Sequence, residues 1–94
     1  MEITVRRTGG FAGITRTARV RTHELDPPAA DELHALVHDA DLPAVGGEPS
    51  GADRFQYEIH VREGDREQRA TVHDGAMPDP VRRLVDRVQE LSTD

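Results

Sequence analysis

The chain has no cysteine, lysine or tryptophan, only three aromatic residues (Phe11, Phe55 and Tyr57), and only two serines, Ser50 and Ser92. Without cysteine there are no disulfides, thiolate metal ligands or cysteine nucleophiles. Neither serine lies in a Gly-x-Ser-x-Gly context, so the nucleophile elbow of serine hydrolases is absent too. The missing lysine reflects codon composition and carries no functional reading. No apolar run approaches the roughly 18 residues of a membrane span. The N-terminal stretch Met1-Glu2-Ile3-Thr4-Val5-Arg6 lacks a hydrophobic signal region and begins as a strand, so a cytoplasmic location and no membrane partner are expected.

All twelve basic residues are arginine, set against eighteen Asp and Glu, for a net charge of −6. A phosphate-backbone ligand needs a positive patch, so nucleic acid is not an expected partner. Ninety-four residues predict one domain, residues 1–94, with room for one small core.

Hydrophobic periodicity predicts the order strand, strand, helix, strand, strand, helix. Ile3 and Val5 alternate with Glu2, Thr4 and Arg6. Ile14, Ala18 and Val20 share one face of a second strand, which Arg16 interrupts, as at a sheet edge or a bulge. Asp26-Pro27-Pro28 predicts a helix start, with Asp26 as N-cap and Asp31 and Glu32 in the first turn. Ala30, Leu33, Leu36 and Val37 then form its apolar stripe. Phe55, Tyr57, Ile59 and Val61 alternate with Gln56, Glu58, His60 and Arg62, and read as the inner face of a third strand. Glu63-Gly64-Asp65-Arg66 is a tight turn into a fourth, carrying Gln68, Ala70 and Val72. Asp79-Pro80 is read as the cap of the last helix, with Val81, Leu84, Val85, Val88 and Leu91 on one stripe. The fold class expected is α+β: a four-stranded, largely antiparallel sheet with both helices on one face, in the order ββαββα.

Up-and-down counting along that order sends three Gly/Pro-rich connections to one end of the sheet. They are the turn around Gly9-Gly10-Phe11-Ala12-Gly13, the loop of residues 42–53 and the loop of residues 74–80. The opposite end holds His23-Glu24-Leu25 and the Gly64 turn. A recognition site is expected where the three loops meet. Phe11 is either a core plug with the parity of Ile3 and Val5 or an exposed anchor on a glycine turn. Asp53 and Asp74 are read as structural or capping residues first, and as recognition groups second.

No catalytic, cofactor or metal constellation emerges. His34 and His38 have the i, i+4 spacing of helical zinc ligands. The residues between them are Ala-Leu-Val, without the glutamate of His-Glu-x-x-His, and no third ligand is in view. They read as surface histidines. The glycine-rich turn joins two strands rather than a strand and a helix, so it is not a phosphate loop. The chain is not expected to be an enzyme.

Three stretches together resemble the emfourin family. They are Arg6-Arg7-Thr8-Gly9-Gly10-Phe11-Ala12-Gly13, Gly51-Ala52-Asp53-Arg54-Phe55-x-Tyr57, and Asp74-Gly75-Ala76-Met77-Pro78 before a short C-terminal helix. The resemblance runs from residue 3 to about residue 91. It implies a small bacterial proteinaceous inhibitor of protealysin and related thermolysin-like zinc metalloproteases, not itself an enzyme and monomeric when free. Such proteases prefer a large apolar side chain just after the scissile bond, which favours Phe11 as an exposed anchor. The residues expected to meet the protease cleft are then Gly9, Gly10, Phe11, Ala12, Gly13, Asp53, Arg54, Asp74, Gly75 and Met77. The alternative reading is a small protein–protein interaction module with a non-protease partner.

Overall fold

The computed structural model describes residues 1–9, 15–45 and 55–92, apart from the side chain of Asp74. The sheet contains β1 (Glu2–Thr8), β2 (Arg16–Arg21), β3 (Gln56–Glu63) and β4 (Arg66–His73), in the order β2-β1-β3-β4. Every neighbouring pair is antiparallel. The helices are α1 (Pro27–Ala40) and α2 (Asp79–Leu91). The expected α+β architecture and element order are those observed.

Register follows from the period-two pattern. Ile3 lies between Val20 and Val61, and Val5 between Ala18 and Ile59. Ile59 in turn faces Ala70, and Tyr57 faces Val72. A one-residue slip would turn every one of these side chains to water, so burial of one face fixes the pairing. That face forms a single cluster with Leu33 and Val37 of α1 and Val81, Leu84, Val85 and Val88 of α2. The opposite face is open and polar, laced by Arg21–Glu2 (2.9 Å), Arg6–Glu58 (3.8 Å) and Arg69–Glu67 (3.9 Å) pairs. Arg16 opens β2, an edge strand, and is exposed, which agrees with the expected edge position.

The helices lie across the strands rather than along them. β2 ends in a single 3₁₀ turn, Thr22–Glu24, tied to the chain start by the Thr22 N–H donating to the Met1 carbonyl (2.9 Å). From there α1 crosses toward β4. His34 Nδ1 comes within 3.7 Å of Glu63, and Pro43 shares a shallow surface hollow with Gln68. A second 3₁₀ turn, Leu42–Ala44, packs on β4 after Asp41 ends the helix in the left-handed region (φ 47°). The chain therefore reaches residue 45 near the Gly64 end of the sheet. The expectation that α1 carries the chain to the opposite end is corrected: a helix lying across four strands ends on the far edge, not at the far end. α2 then crosses back from β4 to β2, where the Ser92 hydroxyl accepts a long hydrogen bond from the Arg19 N–H (3.4 Å).

Three local expectations are also corrected. α1 begins at Pro27, so Asp31 and Glu32 lie beyond its first turn. Glu32 instead accepts from Arg87 of α2 (2.7 Å), which also donates to Glu90 (2.9 Å) and so ties the two helices together. Asp26 holds the N-cap position of α1 without a side-chain capping bond. Asp79 is the first residue of α2, not its cap; Pro78 takes the cap position.

Candidate functional site

The end of the sheet carrying Gly9 is built from the last residues of β1 and β4 and the first of β2 and β3. Gly9 has φ 107°, a conformation that side chains resist, so glycine is required where β1 gives way to the turn. Across the sheet, His73 ends β4 and leads into a third 3₁₀ turn, Asp74–Ala76, before α2. Gly75 is exposed in that turn, while Met77 is buried at 9 % exposure and belongs to the core. Of the other residues expected here, Gly10, Phe11, Ala12, Gly13, Asp53 and Arg54 lie outside the described residues, as does the side chain of Asp74.

Phe55 departs from its expected place. It shares the parity of Tyr57, Ile59 and Val61, which are all buried, yet it is 38 % exposed. The cause is position along the strand. The last β1–β3 pair is Thr8 with Gln56, so Phe55 lies one residue beyond the paired sheet. The Arg7 guanidinium covers its ring instead, 4.6 Å from the centroid. At that distance a cation–π contact is worth about 0.5–1 kcal/mol at an exposed site. Arg7 was not among the site residues expected from sequence. The available signal was its register in β1, on the same face as Ile3 and Val5 but nearer the rim.

Arg7 also pairs across the β1–β2 ladder with Arg16. The two arginines line a cleft of about 260 Å³ with Val5, Thr17 and Ala18, closed on the helix side by Gln89 and Ser92. Among the described residues neither arginine has a carboxylate partner.

Elsewhere the chemistry is structural. His34 and His38 are exposed on α1, and among the described residues no three His, Asp or Glu side chains gather as metal ligands. The Glu2 carboxyl is held below its ordinary range by the hydrogen bond from Arg21, and Arg21 and Arg87 are raised by their bonds to Glu2 and Glu32 respectively. These groups lie on the open sheet face and between the helices, away from Gly9 and Phe55.

The geometry can be set beside known proteins. In fold the chain is similar to emfourin (M4in) from Serratia proteamaculans, an M4 family peptidase inhibitor, with a TM-score of 0.53 and 18 % sequence identity. That match covers 99 % of this chain and 90 % of the inhibitor. A comparison with curated proteins returns no match. The Emfourin family model matches residues 5–89, which takes in the second half of β1, the whole of β2, β3, β4 and α1, and all but the last two residues of α2. On that match the chain belongs to the Emfourin family.

Proposed function

We propose that this protein is a proteinaceous inhibitor of thermolysin-like, M4-type zinc metallopeptidases, and that it is not itself an enzyme. The observation that carries the reading is the family match over residues 5–89. The similarity in fold to an M4 peptidase inhibitor supports it. In this reading the Gly9 end of the sheet enters the substrate cleft of the protease, led by Phe11 on its glycine turn. A segment anchored at both ends by the β1–β2 ladder loses less conformational entropy on binding than a free peptide of the same sequence. The protein acts as a cytoplasmic monomer, which size-exclusion chromatography and cell fractionation would test.

Titration of an M4 peptidase with the purified protein, read on a fluorogenic peptide, tests the function directly. The expected result is a dose-dependent loss of peptidase activity; full activity at micromolar protein refutes the proposal. Phe11→Ala is expected to weaken inhibition far more than it lowers the melting temperature. The opposite pattern, a large loss of stability with inhibition intact, would place Phe11 in the core.

A further inference from the structure

Two arginines directly opposite each other on adjacent strands repel, and such like-charge pairs are ordinarily destabilising. Arg7 and Arg16 hold that relation at the Gly9 end of the molecule, on the helix-side face of the sheet, two residues from the β1 turn. The chain is acidic overall, with a net charge of −6, yet among the described residues no carboxylate lines their shared cleft. On the open face of the sheet Arg6, Arg21 and Arg69 each have a glutamate within 4 Å. Val5, Thr17, Ala18, Gln89 and Ser92 line the same cleft, so the two arginines share one recess with both apolar and polar lining.

We infer that Arg7 and Arg16 form a carboxylate clamp that takes an acidic side chain of the partner peptidase. The inference rests on the inhibitor reading above and adds the chemistry of one contact to it. A guanidinium presents a rigid fork that meets a carboxylate through two parallel hydrogen bonds, which an ammonium cannot do. Stacking on Phe55 restrains Arg7 before the partner arrives, so less side-chain entropy is lost on binding. The incoming anion also relieves the Arg7–Arg16 repulsion, a gain that exists only in the complex. Because the clamp lies just below the Gly9 turn, a protein that receives the turn meets the clamp in the same approach.

The test is a comparison of inhibition constants for wild type, Arg7→Gln, Arg16→Gln, Arg16→Lys and Arg66→Gln. Each constant is measured at low and at high sodium chloride and paired with a melting temperature. Arg66→Gln makes the same charge change at the opposite end of the sheet, beside the Gly64 turn, and serves as the control. The expected loss is about 10- to 100-fold for each clamp arginine replaced by glutamine, as for a lost charge-assisted contact. Arg16→Lys falls between wild type and Arg16→Gln. Salt should weaken wild type more than either clamp variant, because the screened contact is already gone from the variants. The melting temperature of Arg16→Gln should stay level or rise as repulsion is relieved. If wild type inhibits but both clamp variants match Arg66→Gln, the clamp is wrong and the inhibitor reading stands. If wild type does not inhibit at all, both fall together. A loss of inhibition tracked by a fall in melting temperature also overturns the clamp, since the arginines would then be structural.

Discussion

The apolar stripe of α1 offers a stringent test of the packing. Leu33 and Leu36 lie on the same stripe, one turn apart, and periodicity treats them alike. In the folded protein Leu33 is 0 % exposed within the core, whereas Leu36 is only partly buried and packs at its margin. Leu33→Ala removes a fully buried side chain and leaves a cavity between α1, α2 and the sheet. Such substitutions cost about 2.7–5 kcal/mol, according to how far the site collapses. Two helices crossing a small sheet, tied by the Arg87–Glu32 pair, can shift partway together, so a value of about 3 kcal/mol is expected. A chain of this length has a total stability on the order of 5–14 kcal/mol, so the variant approaches the folding threshold. Leu36→Ala loses only part of a transfer term of about 1.5–3 kcal/mol and opens no closed cavity, so about 1 kcal/mol is expected. Alanine is the better helix former by a few tenths of a kcal/mol, which trims both figures equally. Thermal unfolding by far-UV circular dichroism should then show a drop of about 10–25 °C for Leu33→Ala and about 4–8 °C for Leu36→Ala. Equal losses at the two positions would refute the placement of Leu33 inside the core and Leu36 at its margin. A larger loss at Leu36 would mean that the helix is rotated about its axis.

Two further predictions concern electrostatics and backbone. The Glu2 carboxyl is more acidic in the folded protein than its ordinary 4.5, because Arg21 donates to its ionised form. Its stabilisation is therefore present above pH about 4.5 and is lost as the pH falls through the lower folded value. Glu2→Gln should lower stability at pH 7, and its deficit against wild type in urea denaturation should shrink as the pH falls from 4.5 through that lower value; a deficit that does not change with pH would contradict the pairing. Gly64 has φ +58° with open space around the position of an added Cβ, so Gly64→Ala meets no clash, only left-handed backbone strain of about 1–2 kcal/mol. Gly64→Asn should recover much of that loss, because asparagine tolerates this conformation; equal stability of Gly64→Ala and wild type in a urea melt would show that the turn has changed type.

Elements with strong one-dimensional signals were legible from residues alone. Alternation in residues 2–6 and 56–62 and the stripe Val81, Leu84, Val85 and Val88 are local patterns whose period is imposed by backbone geometry. The glycine at position 64 needs no tertiary partner to be read as a turn. Strand order was not legible, since the placement of β1 between β2 and β3 depends on which edges meet in space. Helix direction was missed for a related reason. A stripe says which side of α1 is buried, but not whether the axis runs along the strands or across them; that is set by where the 3₁₀ turn Leu42–Ala44 finds a surface, here β4. Parity likewise placed Phe55 in the core, because parity cannot tell how far the neighbouring strand extends.

The amino-acid sequence by itself determined the class of fold, the six main elements, the faces they bury and the family motifs, because each is written in residue type and spacing over a few turns of chain. Tertiary structure alone decided that the helices cross the sheet, that Phe55 lies at the rim under Arg7, and that Arg7 meets Arg16 in one cleft. These depend on contacts between segments separated by up to 73 residues, and the energy of such contacts exists only once the sheet has closed its register.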